Sequence, residues 1–149
     1  MHVKSILRPL CLAVVLLTAF HSGANAETEP RKSIELVTGG PAEVESGSFA
    51  GRDDATYAVK ASKGEKLIIE LKARNSSTYF NLTAPGAEEA MHIGSIQGER
   101  FDGVLPSDGE YLVMVYMMRN AARRNEKTDY TISFQLVPAA AKSGPATGP

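Results

Sequence analysis

The feature that most restricts the fold of this chain is a hydrophobic pattern with a period of two residues. Residues 129–136 alternate polar and apolar side chains without interruption. Four further stretches are rich in β-branched or aromatic residues, at 56–61, 66–72, 78–82 and 110–116. A period of two places successive side chains on opposite faces of a strand, whereas an amphipathic helix repeats about every 3.6 residues. The chain is therefore predicted to be all-β.

Short turn signals separate these predicted strands. Glycine and proline occur in combinations that are typical of tight turns, in Lys63-Gly64-Glu65, Ala84-Pro85-Gly86, Gln97-Gly98 and Pro106-Ser107-Asp108-Gly109. Strands at this spacing, with no long amphipathic helix between them, indicate a single antiparallel β-sandwich of roughly seven to nine strands. A length of 149 residues suits one domain of this kind.

Residues 1–26 have the organisation of a secretory signal peptide. Lys4 and Arg8 give a positively charged start, residues 10–20 form an uncharged apolar segment, and Ala-Asn-Ala at 24–26 fits a small-residue cleavage site. An uncleaved membrane anchor is the alternative, but the apolar segment is far shorter than the roughly 20 residues that a spanning helix needs. The prediction is cleavage at this site, export, and no membrane span in the mature chain; a secreted domain without cysteine fits a bacterial periplasm.

Removal of this segment changes the chemistry that the protein has available. The whole chain has 16 basic and 17 acidic residues, and the segment contains two of the basic ones, so 14 basic residues remain and the formal charge changes from −1 to −3. The only cysteine, Cys11, is removed as well, and His92 becomes the only histidine. Thiol catalysis and zinc sites built from several Cys or His are therefore excluded. A negative net charge also argues against nucleic acid as a partner.

The predicted domain boundaries follow from local composition. Residues 27–32 are charged, contain a proline and are expected to form a flexible N-terminus. Residues 33–137 contain every predicted strand and form the β-sandwich domain. Residues 138–149 consist of small residues, prolines and one lysine without any hydrophobic period, so they are expected to form a disordered tail.

The mature chain has no recognisable arrangement of catalytic residues. It has no glycine-rich phosphate loop and no nucleophile elbow, and its serine-rich segments have no histidine to act as a base. His92, next to Met91, could bind a soft metal together with Met114, Met117 or Met118. No ligand spacing supports such a site, and methionines that fill the core are the favoured explanation. The prediction is a non-enzymatic protein without a metal or a cofactor.

Two polar segments stand out as candidate binding loops. The first begins at Arg74 and carries a run of hydrogen-bonding side chains that ends in an aromatic residue. The second is an insert of twelve residues, 117–128, where a hairpin needs only about two to five. Its residues predict about one helical turn, and their spacing of four places Arg119 and Arg123 on one side of that turn. The candidate partner-binding residues are Asn75, Ser76, Ser77, Thr78, Tyr79, Arg119, Asn120, Arg123 and Arg124.

The arginines suggest recognition of an acidic group. Guanidinium groups bind carboxylates through paired hydrogen bonds, and here they are concentrated on one segment of an otherwise acidic protein. A solvated charge run beside an ordinary polar turn explains the same composition equally well. Both interpretations remain open on composition alone.

Several motifs occur along the chain in an order that is typical of one protein family. They are Tyr57-x-x-x-Ala61-x-Lys63-Gly64-x-Lys66, Thr78-Tyr79-Phe80, Pro85-Gly86, Leu105-Pro106-x-x-Gly109-x-Tyr111 and Arg119-Asn120-x-Ala122-Arg123. In these motifs the sequence resembles the periplasmic inhibitors of goose-type (g-type) lysozyme from Gram-negative bacteria. The last motif is the most specific one, because the glycines and prolines of the others are turn residues that any such sandwich needs.

This resemblance implies a small β-sandwich related to bacterial pre-peptidase C-terminal-like domains, with lysozyme, most of all g-type lysozyme, as its partner. Such a protein blocks the cleft of a muramidase with protruding loops. Arg119 and Arg123 would then meet the carboxylates of the cleft, and residues 75–79 would replace its contacts with sugar. The alternative is an envelope module that binds glycan or peptide and inhibits nothing, because a shared fold does not by itself establish a function.

Overall fold

The computed structural model describes residues 30–139. The predicted signal peptide, residues 27–29 of the predicted flexible N-terminus and residues 140–149 of the predicted tail therefore lie outside the described residues. Within this range the chain forms nine β-strands and two short helices. They are β1 (Arg31–Ile34), β2 (Glu43–Ala50), β3 (Ala55–Ala61), β4 (Lys66–Ala73), β5 (Thr78–Thr83), β6 (Ala90–Ile93), α1 (Gly94–Gln97), β7 (Arg100–Val104), β8 (Gly109–Met117), α2 (Arg119–Arg123) and β9 (Lys127–Val137).

The strands form two sheets that enclose the core. Sheet A has the strand order β1-β3-β8-β5-β6, and sheet B has the order β2-β9-β4-β7. Neighbouring strands are antiparallel, except that β1 and β3 run parallel because the chain crosses to sheet B through β2 before it returns. The predicted all-β sandwich is confirmed, and its antiparallel character holds for every pair but this one.

Strand β1 begins earlier than the composition suggested. Arg31 and Lys32, which the sequence assigned to a flexible N-terminus, pair with Thr56 and Tyr57 of β3. The Lys32 ammonium also meets the Glu45 carboxylate of β2 at 2.5 Å, across the gap between the two sheets. Backbone pairing at a sheet edge needs no apolar side chains, so charged residues gave no sign of this strand.

The core lies between the two sheets and reproduces the period of two. In β9, the side chains of Thr128, Tyr130, Ile132, Phe134 and Leu136 are buried while those between them are more exposed. The opposite layer comes mainly from the same alternation in β5 and β8. Fully burying an aliphatic or aromatic side chain contributes about 1.5–3 kcal/mol, which explains why a domain of this size needs no disulfide.

Four connections gather at one end of the sandwich, here called the loop end. They are residues 51–54, 74–77, 94–99 and 118–126, which join β2 to β3, β4 to β5, β6 to β7 and β8 to β9. The strand register brings them together, since Ala50 pairs with Lys127, and Thr78 with Met117. Both candidate binding loops of the sequence therefore lie at the same end of the molecule.

Residues 30–139 contain no helix long and apolar enough to cross a bilayer.

Candidate partner-binding site

The connection between β8 and β9 is the arginine loop, residues 118–126. It contains one helical turn, α2, which is stabilised by a hydrogen bond from the Ala122 amide to the Met118 carbonyl at 2.9 Å. Ala121 is fully buried and anchors the turn to the sandwich, while Arg119 and Arg123 are exposed. The predicted single turn is thus confirmed.

The connection between β4 and β5 is the polar loop, residues 74–77. The side-chain oxygen of Asn75 accepts a hydrogen bond from the Ser77 backbone amide at 2.9 Å. The backbone carbonyl of Asn75 accepts one from the Thr78 backbone amide at 3.0 Å. An asparagine that bonds the backbone two residues onward is a common way to stabilise a tight turn. The turn leaves Ser76 exposed at its tip and Ser77 half-buried.

A carboxylate joins the two loops. The Glu126 carboxylate accepts a hydrogen bond from the side-chain amide nitrogen of Asn75 at 2.8 Å and another from Nε of Arg124 at 2.7 Å. The backbones are joined as well, since the Met118 amide donates to the Ser77 carbonyl at 2.9 Å. The hydrogen bond from Asn75, followed by that from Arg124, lowers the pKa of Glu126. The arginine loop and the polar loop are therefore one continuous surface.

Arg119 and Arg123 contribute to the same concave surface. They line a pocket of about 530 Å³ together with Asn120, Tyr116 and Met118, above the buried Met117. Within residues 30–139, neither guanidinium is hydrogen-bonded or ion-paired to a carboxylate. Both groups are therefore free to bind an acidic group of another molecule.

Two predicted site residues have other roles. Thr78 is completely buried, and its hydroxyl donates to the Thr128 hydroxyl at 2.8 Å, so its side chain is not accessible at the surface. Arg124 pairs with Glu126, which neutralises its charge. The period of two in the predicted strand 78–82 already places Thr78 on the face of Phe80 and Leu82, but the prediction grouped it with the polar residues beside it. The pairing of Arg124 with Glu126 depends on the geometry of the loop, which no local pattern shows.

Sequence reasoning missed three residues of this surface. Glu126 holds the loops together, Arg52 of the connection from β2 to β3 lies beside Arg119 and Arg123, and Tyr116 lies opposite Tyr79 in neighbouring strands. The two tyrosines form a half-buried pair on the outer face of sheet A next to the arginine loop. An isolated arginine or glutamate in a turn carries no local pattern by which it could have been found.

His92, the candidate ligand for a soft metal, takes part in core packing. His92 is buried, donates from Nε2 to the Gly98 carbonyl at 3.0 Å, and stacks on Phe80 with 4.8 Å between ring centres. No group of three or more His, Cys, Asp or Glu side chains within residues 30–139 is arranged to hold a metal ion. The histidine is part of the core.

Comparison with solved structures defines the class of the fold. The chain is similar to a periplasmic inhibitor of g-type lysozyme from Aeromonas hydrophila, with a TM-score of 0.64 and 29% identity over 71% of this chain and 95% of that one. The corresponding inhibitor from Salmonella Typhimurium has a TM-score of 0.56 and 26% identity, over 73% of this chain and 99% of that one. A pre-peptidase C-terminal domain of Bacillus anthracis collagenase shares the fold alone, with a TM-score of 0.51 and 17% identity over 75% and 99%. The molecule is a β-sandwich of this class.

The sequence comparison identifies the family. The chain is 31% identical over 140 residues to an inhibitor of g-type lysozyme from Escherichia coli (strain K12). The aligned region covers 91% of this chain and 99% of the relative. No family model matches the chain. At this identity and coverage, the chain belongs to the family of g-type lysozyme inhibitors, and the resemblance seen in its motifs is confirmed. The solved members are periplasmic, which is the localisation that the sequence predicted for this protein.

Proposed function

We propose that this protein is a non-enzymatic periplasmic inhibitor of g-type lysozyme that closes the muramidase cleft with its loop end. The observation that carries the proposal is the hydrogen-bonded junction of Asn75, Glu126 and Arg124, which combines the polar loop and the arginine loop into one protruding surface. Relatives that are named inhibitors of g-type lysozyme support it. A plug needs such a braced surface, because ordering flexible loops on binding would reduce the affinity.

The arginines would act on the catalytic acid of the lysozyme. A lysozyme uses a carboxylic acid to protonate the leaving oxygen, and this acid must keep its proton until the reaction. A guanidinium group placed beside it favours the ionised form and so lowers its pKa. Arg119 or Arg123 in the cleft would therefore exclude the substrate and also disable the acid.

The remaining residues of the surface would replace contacts with sugar. Ser76 and Ser77 offer hydroxyl groups, and the rings of Tyr79 and Tyr116 offer flat apolar faces. Asn75 would contribute by bracing the loops, since Glu126 already accepts a hydrogen bond from its amide group. In this arrangement the central arginines supply most of the affinity, and the rim supplies shape and specificity.

A cell-wall clearing assay tests the proposal. The chain without its predicted signal peptide is added to g-type, chicken-type and invertebrate-type lysozymes acting on a bacterial cell-wall suspension. We expect clearing to be blocked with the g-type enzyme, and Arg119→Ala to weaken the block while the melting temperature stays near that of the wild type. Unchanged clearing with all three enzymes would contradict the proposal. Retention of the protein on purified peptidoglycan without lysozyme would then favour the glycan-binding module.

A further inference from the structure

A second, smaller pocket lies at the loop end and contains three arginines. It measures about 380 Å³ and is lined by Arg52, Arg119 and Arg123, with Met117 and Ala122 completing its wall. The lining thus combines three arginines from two separate loops and contains no acidic residue. Arg52 is exposed and reaches this pocket from the connection between β2 and β3.

The position of Arg52 is set by backbone contacts. Gly51 has a φ of +64°, and its amide donates to the Glu126 carbonyl at 2.9 Å. The Asp53 amide closes the turn onto the Ala50 carbonyl at 3.2 Å. The turn is therefore attached directly to the arginine loop, which keeps Arg52 beside that loop whatever the conformation of its own side chain.

The electrostatics of the pocket favour an anion. Three arginines line a space of only about 380 Å³, and like charges repel one another when they approach within about one Debye length, roughly 10 Å at 0.1 M salt. The apolar wall formed by Met117 and Ala122 limits solvation on one side of the pocket. A bound anion relieves this repulsion, and a guanidinium binds the two oxygens of a carboxylate with paired hydrogen bonds.

We infer that Arg52, Arg119 and Arg123 form a binding site for a carboxylate-rich anion. The ligand chemistry is that of two or more carboxylates held close together, either in a free polycarboxylate or in acidic side chains of the lysozyme cleft. The second source rests on the proposed function, whereas the first does not. Arg52 is then the residue that converts a pair of arginines into a site for more than one negative charge.

Citrate is the probe for this site, measured by isothermal titration calorimetry at neutral pH and low ionic strength. We expect one citrate per protein, with binding weakened about tenfold by Arg52→Ala, which corresponds to the loss of one charge-assisted hydrogen-bonded contact. Arg52→Lys should give an intermediate affinity, because it keeps the charge but loses the paired hydrogen bonds. Lys63→Ala removes one positive charge at the opposite end of the sandwich and should leave the affinity unchanged. No binding to the wild type, or equal weakening by Arg52→Ala and Lys63→Ala, would overturn the inference.

The clearing assay separates the two carboxylate sources. If lysozyme carboxylates enter this pocket, citrate should reduce inhibition more than sodium chloride of the same ionic strength, and Arg52→Ala should weaken inhibition about tenfold. If citrate binds through Arg52 but the protein inhibits no lysozyme, the anion site stands and the proposed function fails. If inhibition is intact while citrate does not bind, the proposed function stands and the anion site is refuted.

Discussion

Replacing Gly51 with alanine tests whether the β2–β3 connection is attached to the arginine loop as described. Gly51 has a φ of +64°, and a Cβ atom added there would lie 2.5 Å from Oδ1 of Asn125. Asn125 itself has a φ of +51° and belongs to the arginine loop. The substitution therefore strains the backbone and also pushes against the loop that carries the proposed inhibitory arginines.

Gly86→Ala is the matched control. Gly86 has a similar φ of +70° at the opposite end of the sandwich, but a Cβ atom there meets nothing within 4 Å. Alanine in the left-handed region costs about 1 kcal/mol after its smaller unfolded-state entropy is allowed for. Moving the Asn125 side chain off its preferred rotamer adds about 1 kcal/mol more. We therefore expect Gly51→Ala to cost about 2 kcal/mol and Gly86→Ala about 1 kcal/mol.

Thermal unfolding measures the loss of stability, and the clearing assay measures the loss of inhibition. For a domain of this size, about 1 kcal/mol corresponds to roughly 4 °C in melting temperature, so Gly51→Ala should melt below Gly86→Ala by about that amount. Inhibition should weaken in Gly51→Ala and stay unchanged in Gly86→Ala. Adding Asn125→Gly removes the obstructing side chain and should recover the extra loss. Equal stability and equal inhibition in the two alanine variants would refute the contact between Gly51 and the arginine loop.

Three further predictions follow from contacts at the loop end and in the core. Arg123→Ala should raise the inhibition constant at least about tenfold without changing stability, whereas Arg124→Ala should raise it less, because the charge of Arg124 is already paired with Glu126. Equal increases in the two variants would contradict the proposed role of Arg123. Tyr57→Phe and Tyr130→Phe should each lower the free energy of unfolding by about 1–2 kcal/mol, because the two buried hydroxyl groups are hydrogen-bonded to each other at 2.7 Å. For the same reason the double variant should lose less than the sum of the two single losses, and additive losses in urea unfolding would exclude this hydrogen bond. Glu126→Gln should lower stability at neutral pH but not after acidification. The lowered pKa of this carboxyl means that its ionised form stabilises the fold, and this stability is lost as the pH falls through that pKa. A stability difference between the variant and the wild type that does not change with pH would contradict the pairing of Glu126 with Asn75 and Arg124.

The sequence predicted the fold class because the information is local. The alternation in residues 129–136 became the buried and exposed faces of β9, and the glycine and proline clusters became the turns between strands. A period of two follows from the geometry of a single strand, whatever its neighbours are. The charged edge strand β1 lacked this pattern, since only Ile34 of its four side chains is buried and the strand is held mainly by backbone pairing with β3.

The candidate site was predicted in part for the same reason. The spacing of Arg119 and Arg123 is a local property of one helical turn, and α2 places both beside one pocket. The burial of Thr78 follows from the predicted strand 78–82, because a period of two places Thr78 on the same face as Phe80 and Leu82. Counting it among the binding residues gave the polar run around it precedence over this alternation. The local pattern does not show which group its hydroxyl bonds. Its partner, Thr128, is 50 residues away in the chain.

By itself, then, the sequence determined an all-β sandwich with exposed arginines and, through its motifs, the family to which it belongs. Only the tertiary structure decided that the polar loop and the arginine loop form one surface, through contacts of Asn75 and Glu126 across 51 residues of chain. It also decided that Arg52 joins Arg119 and Arg123. Such contacts depend on strand register and on how the connections pack at the end of the two sheets, and no local periodicity encodes either of them.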